Sequence, residues 1–484
     1  MACTTILVGK KASYDGSTIM ARNDDSPSGI FTPKKIEFYP RKQGKETYRS
    51  VISHVEIELP EESFAYTATP NIDMHEGLWL ASGINEFNVS VTATETLTTN
   101  ARVMGADPYV KYQKAEEGKE EVKGGIGEED IVRLVLPYIK SAREGVLRLG
   151  SLLETYGTYE PNGIGFADHD EVWWLETIGG HHWIAKRVED DQYVVMPNQF
   201  GIDSFDFEDA FSKGEKHLCS KDLREFIEEY HLDLTMDGLF NPRLAFGSHD
   251  DSDHVYNTPR AWYVIKTLNP SYLKEHDELT PLSDNLPWSL RPERKLTIEE
   301  VKYLLASHYQ GTEYDPYARF GKTEMKGAYR PIGISRTSDM SILQVRPLEE
   351  AFCSIQWINF GCNCFNASAP LYTNCTRVPE YYKNTTDKIS TDNFYWSMRL
   401  LGALVDSHFN ICEMLIERYQ SKVSNRSHEM INRFDRLIKE GKLIQDEAND
   451  ALAAMVKEET DDVLNKVLYQ VSCHMKNGYS RSDN

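Results

Sequence analysis

Residues 3–25 of the chain read CTTILVGKKASYDGSTIMARNDD, and the fold prediction starts from this stretch. The runs Thr4 to Val8 and Thr18 to Asn23 are typical of β-strands, and the pair Asp15-Gly16 between them is a hairpin signal. A hairpin that turns near Ala12 or Ser13 returns the second strand along the first. The sequence therefore predicts that the residues after Ala21 lie beside the start of the first strand.

Cys3 is the candidate nucleophile of this stretch. A buried cysteine usually behaves as a small hydrophobic residue, and this structural alternative stays open. If Met1 and Ala2 were removed, Cys3 would carry both a thiol and a free α-amino group. An α-amine with a pKa of about 8 is a usable base near neutral pH.

The composition excludes several classes of protein. The 484 residues include 53 Lys and Arg against 75 Asp and Glu, which gives a formal net charge of −22 at pH 7. This charge disfavours nucleic acid and anionic membrane surfaces as partners. No segment approaches the roughly 18 consecutive apolar residues of a membrane-spanning helix, and the start lacks a secretory signal pattern. We therefore expect a soluble, cytoplasmic protein.

Strand and helix patterns alternate along the rest of the chain. A helix is predicted over Glu128–Tyr156, with Pro137 as a kink or break, and Thr297 with Glu300 forms a capping-box pattern. Beyond Thr391 the pattern is helical to near the end. Predicted strands are Leu78–Ser82, Val89–Thr94, Val172–Leu175, Trp183–Val188, Tyr193–Met196, Ser341–Val345 and Ser354–Phe360, and further helices are expected at about 220–230, 258–267 and 297–307. These patterns predict an α+β fold.

Seven separated motifs follow one another along the chain. They are Cys3-Thr4-Thr5, Asp15-Gly16-Ser17-Thr18, residues 21–26 (ARNDDS), residues 173–177 (WWLET), residues 179–183 (GGHHW), residues 197–200 (PNQF) and residues 258–262 (TPRAW). In this order they resemble the dipeptidase D-like cysteine peptidases, which are N-terminal-nucleophile (Ntn) hydrolases related to bile salt hydrolase and penicillin V acylase. The resemblance reaches about residue 375. It implies a four-layer αββα sandwich over residues 1–390, with helical insertions, and a helical C-terminal extension over 391–484.

The resemblance also implies site residues, position by position. Cys3 matches the nucleophile, and Arg22 and Asp25 match an Arg-x-x-Asp pair whose carboxylate holds the cysteine's amino group and whose arginine supports the site electrostatically. Asn198 matches the oxyanion-hole asparagine, and Arg260 matches the late active-site arginine. The ordinary alternatives are a surface ion pair for Arg22 and Asp25 and a turn residue for Asn198.

Two positions depart from the family pattern. The second oxyanion donor is expected near Thr94 or Glu95, where this chain has no asparagine; a backbone N–H could serve, and the position stays unassigned. Ordinary initiator removal stops at Ala2 and leaves Cys3 blocked. Activity therefore requires a second cleavage, which we expect Cys3 to perform autocatalytically.

The function implied by the resemblance is hydrolysis of dipeptides, with broad side-chain tolerance, by a cysteine-type exopeptidase that needs no cofactor or metal. Cys362-Asn363-Cys364 suggests zinc only weakly, because it lacks the usual ligand spacing. One alternative function is a non-peptide amidase of the bile salt hydrolase or penicillin acylase type, and another is a non-enzymatic, secernin-like interaction protein. The apolar faces of the C-terminal helices predict a homo-oligomer.

Overall fold

The computed structural model describes residues 3–476. Met1 and Ala2, which the processing prediction concerns, lie outside the described residues. In chain order the strands are β1 (Thr4–Val8), β2 (Thr18–Asp25), β3 (Glu37–Tyr39), β4 (Lys42–Gln43), β5 (Thr47–Arg49), β6 (Glu56–Glu58), β7 (Glu62–Ser63), β8 (Tyr66–Ala68), β9 (Ser82–Asn85), β10 (Ser90–Thr96), β11 (Asn162–Ala167), β12 (Val172–Thr177), β13 (Trp183–Arg187), β14 (Tyr193–Met196), β15 (His217–Cys219), β16 (Ser289–Leu290), β17 (Thr337–Val345), β18 (Ser354–Phe360) and β19 (Ala369–Tyr372).

The helices lie between and after these strands. In chain order they are α1 (Ala101–Ala106), α2 (Glu128–Val135), α3 (Ala142–Tyr156), α4 (Phe207–Ala210), α5 (Leu223–Glu229), α6 (Pro242–Phe246), α7 (Asp253–Tyr256), α8 (Thr258–Leu268), α9 (Pro270–Glu275), α10 (Ile298–Leu305), α11 (Glu380–Lys383), α12 (Phe394–Val405), α13 (Phe409–Lys439) and α14 (Gln445–Ser472). In residues 3–476, none of these helices is long and apolar enough to cross a membrane.

The predicted hairpin forms the centre of the first antiparallel sheet, whose strand order is β16-β14-β1-β2-β17-β18-β19. In its register Thr4 pairs with Asn23 and Thr5 pairs with Arg22. Strand β2 continues to Asp25, so the segment after Ala21 returns beside the start of β1 as predicted. The charged residues at the end of β2, Arg22, Asp24 and Asp25, are therefore part of a central strand of the sheet.

The second sheet is also antiparallel, with the order β15-β13-β12-β11-β10-β9-β8-β3. It packs face to face on the first sheet through one shared apolar core, which includes Leu7 and Met20 from the first sheet and Trp174 from the second. The sheets approach so closely at Gly165 that an added Cβ would lie 2.5 Å from the sulfur of Met20. A larger residue at this contact would require the Met20 side chain to move.

Helices cover the outer faces of both sheets. Helices α2 and α3 pack on the second sheet, where Leu134 and Val146 share a core with Trp173. Helices α8 and α10 pack on the first sheet, where Val264 shares a core with Ile6. Each sheet therefore has helices packed against it.

The C-terminal helices lie against the edge of the first sheet. Phe360 of β18 and Leu371 of β19 share an apolar core with Met398 of α12 and Val456 of α14. The side chain of Asn449, on α14, accepts a hydrogen bond from the backbone N–H of Tyr372 at 2.8 Å and donates to its carbonyl oxygen at 2.9 Å. Helix α14 thus supplies the edge strand β19 with hydrogen-bond partners.

The mixed α and β composition and the helical C-terminal region are as predicted. The predicted break at Pro137 is confirmed, because α2 ends at Val135 and a 3-10 turn over Leu136–Tyr138 separates it from α3. The capping box at Thr297 is confirmed as well. The strand predicted over Leu78–Ser82 is wrong before Ser82, since Trp79 has a φ of +46°, which a strand does not allow.

Candidate active site

Cys3 lies directly before β1 and its side chain is completely buried. The Nη2 atom of Arg22 lies 3.3 Å from its Sγ atom. Burial raises the pKa of the Cys3 thiol to about 12, although the positive charge of Arg22 acts in the opposite direction. The thiol is therefore a neutral group that needs a nearby base before it can act as a nucleophile.

Four hydrogen-bond acceptors, besides the Cys3 sulfur, hold the Arg22 guanidinium group in place. Its Nη2 atom also donates to Glu128 Oε1 at 2.8 Å and to Asp24 Oδ1 at 3.2 Å, and its Nη1 atom donates to the carbonyl oxygens of Ala81 at 3.1 Å and Ala93 at 2.5 Å. Because Nη2 carries two N–H groups and faces three acceptors, counting the Cys3 sulfur, one of its hydrogen bonds is shared between two acceptors. The predicted surface ion pair is thus excluded for Arg22, which is 3% exposed.

Asp25, at the end of β2, is also completely buried. Its carboxylate accepts a very short hydrogen bond from Arg330 and one from Thr337 Oγ1 at 2.6 Å. Its negative charge contributes to raising the pKa of the Cys3 thiol. Asp25 is therefore a buried, paired carboxylate close to Cys3 and not a surface residue.

Arg260, in the first turn of α8, joins the start of β1 to the segment after β14. Its Nη1 atom donates to the carbonyl oxygen of Cys3 and, at 2.7 Å, to Thr4 Oγ1. Its Nη2 atom donates to Asn198 Oδ1 at 2.8 Å. Burial, followed by the charge of nearby Arg330, lowers the pKa of Arg260 to about 9.

Asn198 follows β14 and is held at its backbone and at its side chain. Its backbone N–H donates to Asn257 Oδ1 at 3.2 Å, and the Asn257 amide donates to the Asn198 carbonyl oxygen at 3.3 Å. Its side-chain Nδ2 atom donates to Glu95 Oε2 at 3.3 Å. A free turn residue is thereby excluded. Cys3, Arg22, Asn198 and Arg260 form one connected cluster, and Asp25 acts on Cys3 through its charge.

Positions 94 and 95, where the sequence left an oxyanion donor unassigned, belong to this cluster as well. The backbone N–H of Thr94 donates to Glu128 Oε1 at 3.2 Å, and the hydroxyl of Thr94 is buried with no hydrogen-bond partner among the described residues. Glu95 is completely buried between Asn198 and Thr5. Burial raises the pKa of the Glu95 carboxyl to about 8, with Arg22 as the largest opposing influence.

Sequence reasoning missed several members of the cluster. The sequence identified Glu128 only as the first residue of a predicted helix. It gave no role to Asn257, which lies one residue before the TPRAW motif. Arg330 lies in a segment without helix or strand, 305 residues from its partner Asp25, so no local pattern could have identified it. Across residues 3–476, the structure contains no group of three or more His, Cys, Asp or Glu side chains that could hold a metal ion.

Comparison with known proteins places this cluster in a family. The family model described as Peptidase family C69 matches residues 2–422, a range that includes all five predicted site residues. The chain belongs to peptidase family C69. The match ends within α13, so the last part of the C-terminal helical region lies beyond it.

Relatives of this family C69 peptidase are similar to it over their full length. It is 49% identical to a protein named "Dipeptidase" from Bifidobacterium longum (strain NCC 2705), with 100% of each chain covered. It is also 49% identical to "Probable dipeptidase A" of Streptococcus pyogenes serotype M3 (strain SSI-1), again over 100% of both chains. Identity to "Dipeptidase A" of Lactobacillus helveticus is 41%, with 96% of each chain covered.

Proposed function

We propose that this family C69 peptidase is a dipeptidase that uses Cys3 as its nucleophile and accepts a broad range of side chains. The observation that carries the proposal is the 49% identity, over the whole of both chains, to a protein named dipeptidase. The buried contact between the Cys3 thiol and Arg22 supports the cysteine-type chemistry.

The proposed mechanism begins after residues 1 and 2 have been removed, autocatalytically, by attack of Cys3. The free α-amine of Cys3 takes the thiol proton, and the thiolate attacks the carbonyl carbon of the dipeptide. The side-chain amide of Asn198 and a backbone N–H donate to the oxyanion of the tetrahedral intermediate. Arg22 stabilises the thiolate electrostatically, and Asp25 orients the amine.

Two further stages complete the reaction: collapse of the tetrahedral intermediate to a thioester, and hydrolysis of that thioester. The C–N bond breaks as the ammonium group of Cys3 returns its proton to the leaving amine, which leaves the first amino acid as a thioester on Cys3. Water, deprotonated by the same α-amine, attacks the thioester, and the sulfur leaves and recovers a proton. Arg260 holds the Cys3 carbonyl group and the Asn198 amide in place during both stages.

The finer fold assignment is part of the same proposal. The order helices, sheet, sheet, helices supports the αββα sandwich of Ntn hydrolases, with the nucleophile at the start of a central strand. We assign this catalytic domain to residues 1–390 and a helical C-terminal extension to residues 391–484.

We also propose a cytoplasmic homo-oligomer, supported by the exposed apolar residues Met414, Leu468 and Tyr469 on the C-terminal helices. A monodisperse monomer in light scattering would contradict the oligomer.

A pair of cysteine variants tests the proposed nucleophile. Cys3→Ala should abolish dipeptide cleavage while the melting temperature stays near that of the wild type. Cys412→Ala is the matched control, because Cys412 is equally buried but lies on α13. Cleavage by Cys3→Ala at the wild-type rate would refute the assignment.

A second experiment separates the proposed dipeptidase from an amidase. Initial rates are measured on N-acyl amides beside those on dipeptides, and a dipeptidase cleaves the dipeptides faster.

A further inference from the structure

We infer that Glu95 is a positioning residue, which holds the side-chain amide of Asn198 in the orientation that presents its N–H groups for the oxyanion. The inference rests on the proposed function, since it concerns the oxyanion of that reaction. Glu95 had no predicted role beyond marking a position where an asparagine was expected and is absent.

The first step is the fixed orientation of the Asn198 amide. Arg260 Nη2 donates to Asn198 Oδ1 at 2.8 Å, and Asn198 Nδ2 donates to Glu95 Oε2 at 3.3 Å. A guanidinium group can only donate hydrogen bonds, and a carboxylate oxygen accepts them. Rotating the amide by 180° would place its NH₂ group against a donor and its oxygen against Glu95. The two partners together therefore select one orientation.

The second step is the anchoring of Glu95 itself. Its Oε1 atom accepts a hydrogen bond from Thr5 Oγ1 at 2.6 Å. Thr5 lies two residues after Cys3, and alternate residues of a strand project to the same face, so Glu95 lies over the face that carries the nucleophile. The register of β10 against β11 shifts between Ala93 and Glu95. A bulge of this kind redirects a side chain, and here it points Glu95 from the second sheet to the first.

The third step is the protonation state of Glu95. The charged and titratable groups that act on it are Cys3 directly before β1, Arg22 and Asp25 from β2, and Arg260 from α8. Burial outweighs the two arginines and raises the pKa of Glu95 to about 8, so the carboxyl group is mostly protonated at neutral pH.

The neutral acid suits both hydrogen bonds. The Thr5 hydroxyl can accept the acid's O–H, because hydroxyl groups both donate and accept, while Oε2 stays an acceptor for Asn198. Above pH 8 the carboxyl ionises and places a negative charge near the developing oxyanion, which opposes catalysis. The account therefore predicts that kcat falls above about pH 8 through titration of Glu95.

Two substitutions of Glu95 test the inference through kcat, KM and pH profiles from pH 6 to 10 on one dipeptide. Glu95→Gln mimics the neutral acid: its oxygen accepts from Asn198 and its NH₂ group donates to Thr5. It should keep kcat within about threefold of wild type at pH 7 and lose the alkaline limb, which is the fall in kcat near pH 8; a later fall near pH 9, where Arg260 loses its proton, remains. Glu95→Leu removes both bonds; since loss of one oxyanion donor lowers kcat by about 10²–10³-fold, we expect a fall of about 10–100-fold with little change in KM.

Glu176→Gln is the matched control. Glu176 is also completely buried and its carboxyl pKa is raised, by burial, to about 7, but its Oε1 atom binds the Gly201 N–H and the Trp174 indole. This variant should keep the wild-type pH profile. The inference is overturned if Glu95→Gln keeps the alkaline limb, if Glu176→Gln also loses it, or if folded Glu95→Leu keeps its kcat.

The same experiment separates this inference from the proposed function. If the processed wild-type protein cleaves no dipeptide, the proposed function fails before any variant is compared. If the wild type cleaves dipeptides and the Glu95 variants match it in kcat and pH profile, only the role of Glu95 fails. A melting temperature for each variant shows whether a loss of kcat reflects unfolding.

Discussion

The Cys3 thiol lies beside a guanidinium group whose charge is already shared by two carboxylates. Arg22 binds Glu128 and Asp24 as well as the sulfur, and Asp24 also pairs with Lys34 at 2.9 Å. Arg22 and Lys34 together balance the two acidic groups. In the proposed mechanism the Cys3 thiolate is thus stabilised by a positioned donor and not by a large local excess of positive charge.

Arg22→Lys tests this positioned contact. Lysine has one nitrogen and cannot contact the sulfur, Glu128 and the backbone oxygens together. We expect kcat/KM to fall about 10²-fold, which corresponds to about 2.7 kcal/mol of lost transition-state stabilisation. Steady-state kinetics on one dipeptide measures the effect. Arg41→Lys, which changes an exposed arginine paired with Glu62 and Glu86, is the control and should stay at the wild-type rate.

Local sequence signals were enough to predict part of the site. Cys3 and Arg22 meet because one hairpin register brings them together, and that register follows from the pattern of residues 3–25. The partners Glu95 and Arg330 come from distant segments that tertiary packing brings in. Their contacts depend on a bulge in β10 and on a loop before β17, and neither feature has a reliable periodic pattern.

At the scale of elements, strand β11 shows why one central strand was missed. Its sequence, Asn-Gly-Ile-Gly-Phe-Ala, carries two glycines that local propensity disfavours in strands. Packing favours both, since a Cβ at Gly163 would lie 2.2 Å from the rigid Trp174 ring and one at Gly165 would displace the Met20 side chain. A contact between neighbouring strands at Gly163 and a contact between the two sheets at Gly165 favour these glycines, and no single segment reveals either contact.

The edge strand β19 and helix α14 give a test at this scale. Asn449→Ala removes the side chain that binds both backbone groups of Tyr372, and a buried unpaired polar group costs about 1–3 kcal/mol. We expect a lower midpoint of urea unfolding and faster hydrogen exchange over residues 369–372. Asn465→Ala, at an exposed position of the same helix, is the control and should leave both quantities unchanged. Equal behaviour of the two variants would contradict the role given to Asn449.

At the scale of the whole molecule, the C-terminal helices complete the core of the first sheet. Phe360 and Leu371 pack against Met398 and Val456, so a chain without the helices exposes this apolar surface. We therefore expect a protein truncated after residue 390 to aggregate or to lack a cooperative thermal transition in circular dichroism. A truncated protein that melts cooperatively near the wild-type temperature would show that the extension is dispensable for folding.

The central claim is that Cys3 becomes the N-terminal residue and cleaves dipeptides. The most direct test is intact mass spectrometry with N-terminal sequencing of the purified protein, together with a dipeptide-cleavage assay on the same sample. The account predicts that the active chain begins at Cys3 and that Cys3→Ala keeps Ala2 and is inactive. A chain that begins at Met1 or Ala2 and cleaves dipeptides at the full rate would contradict it.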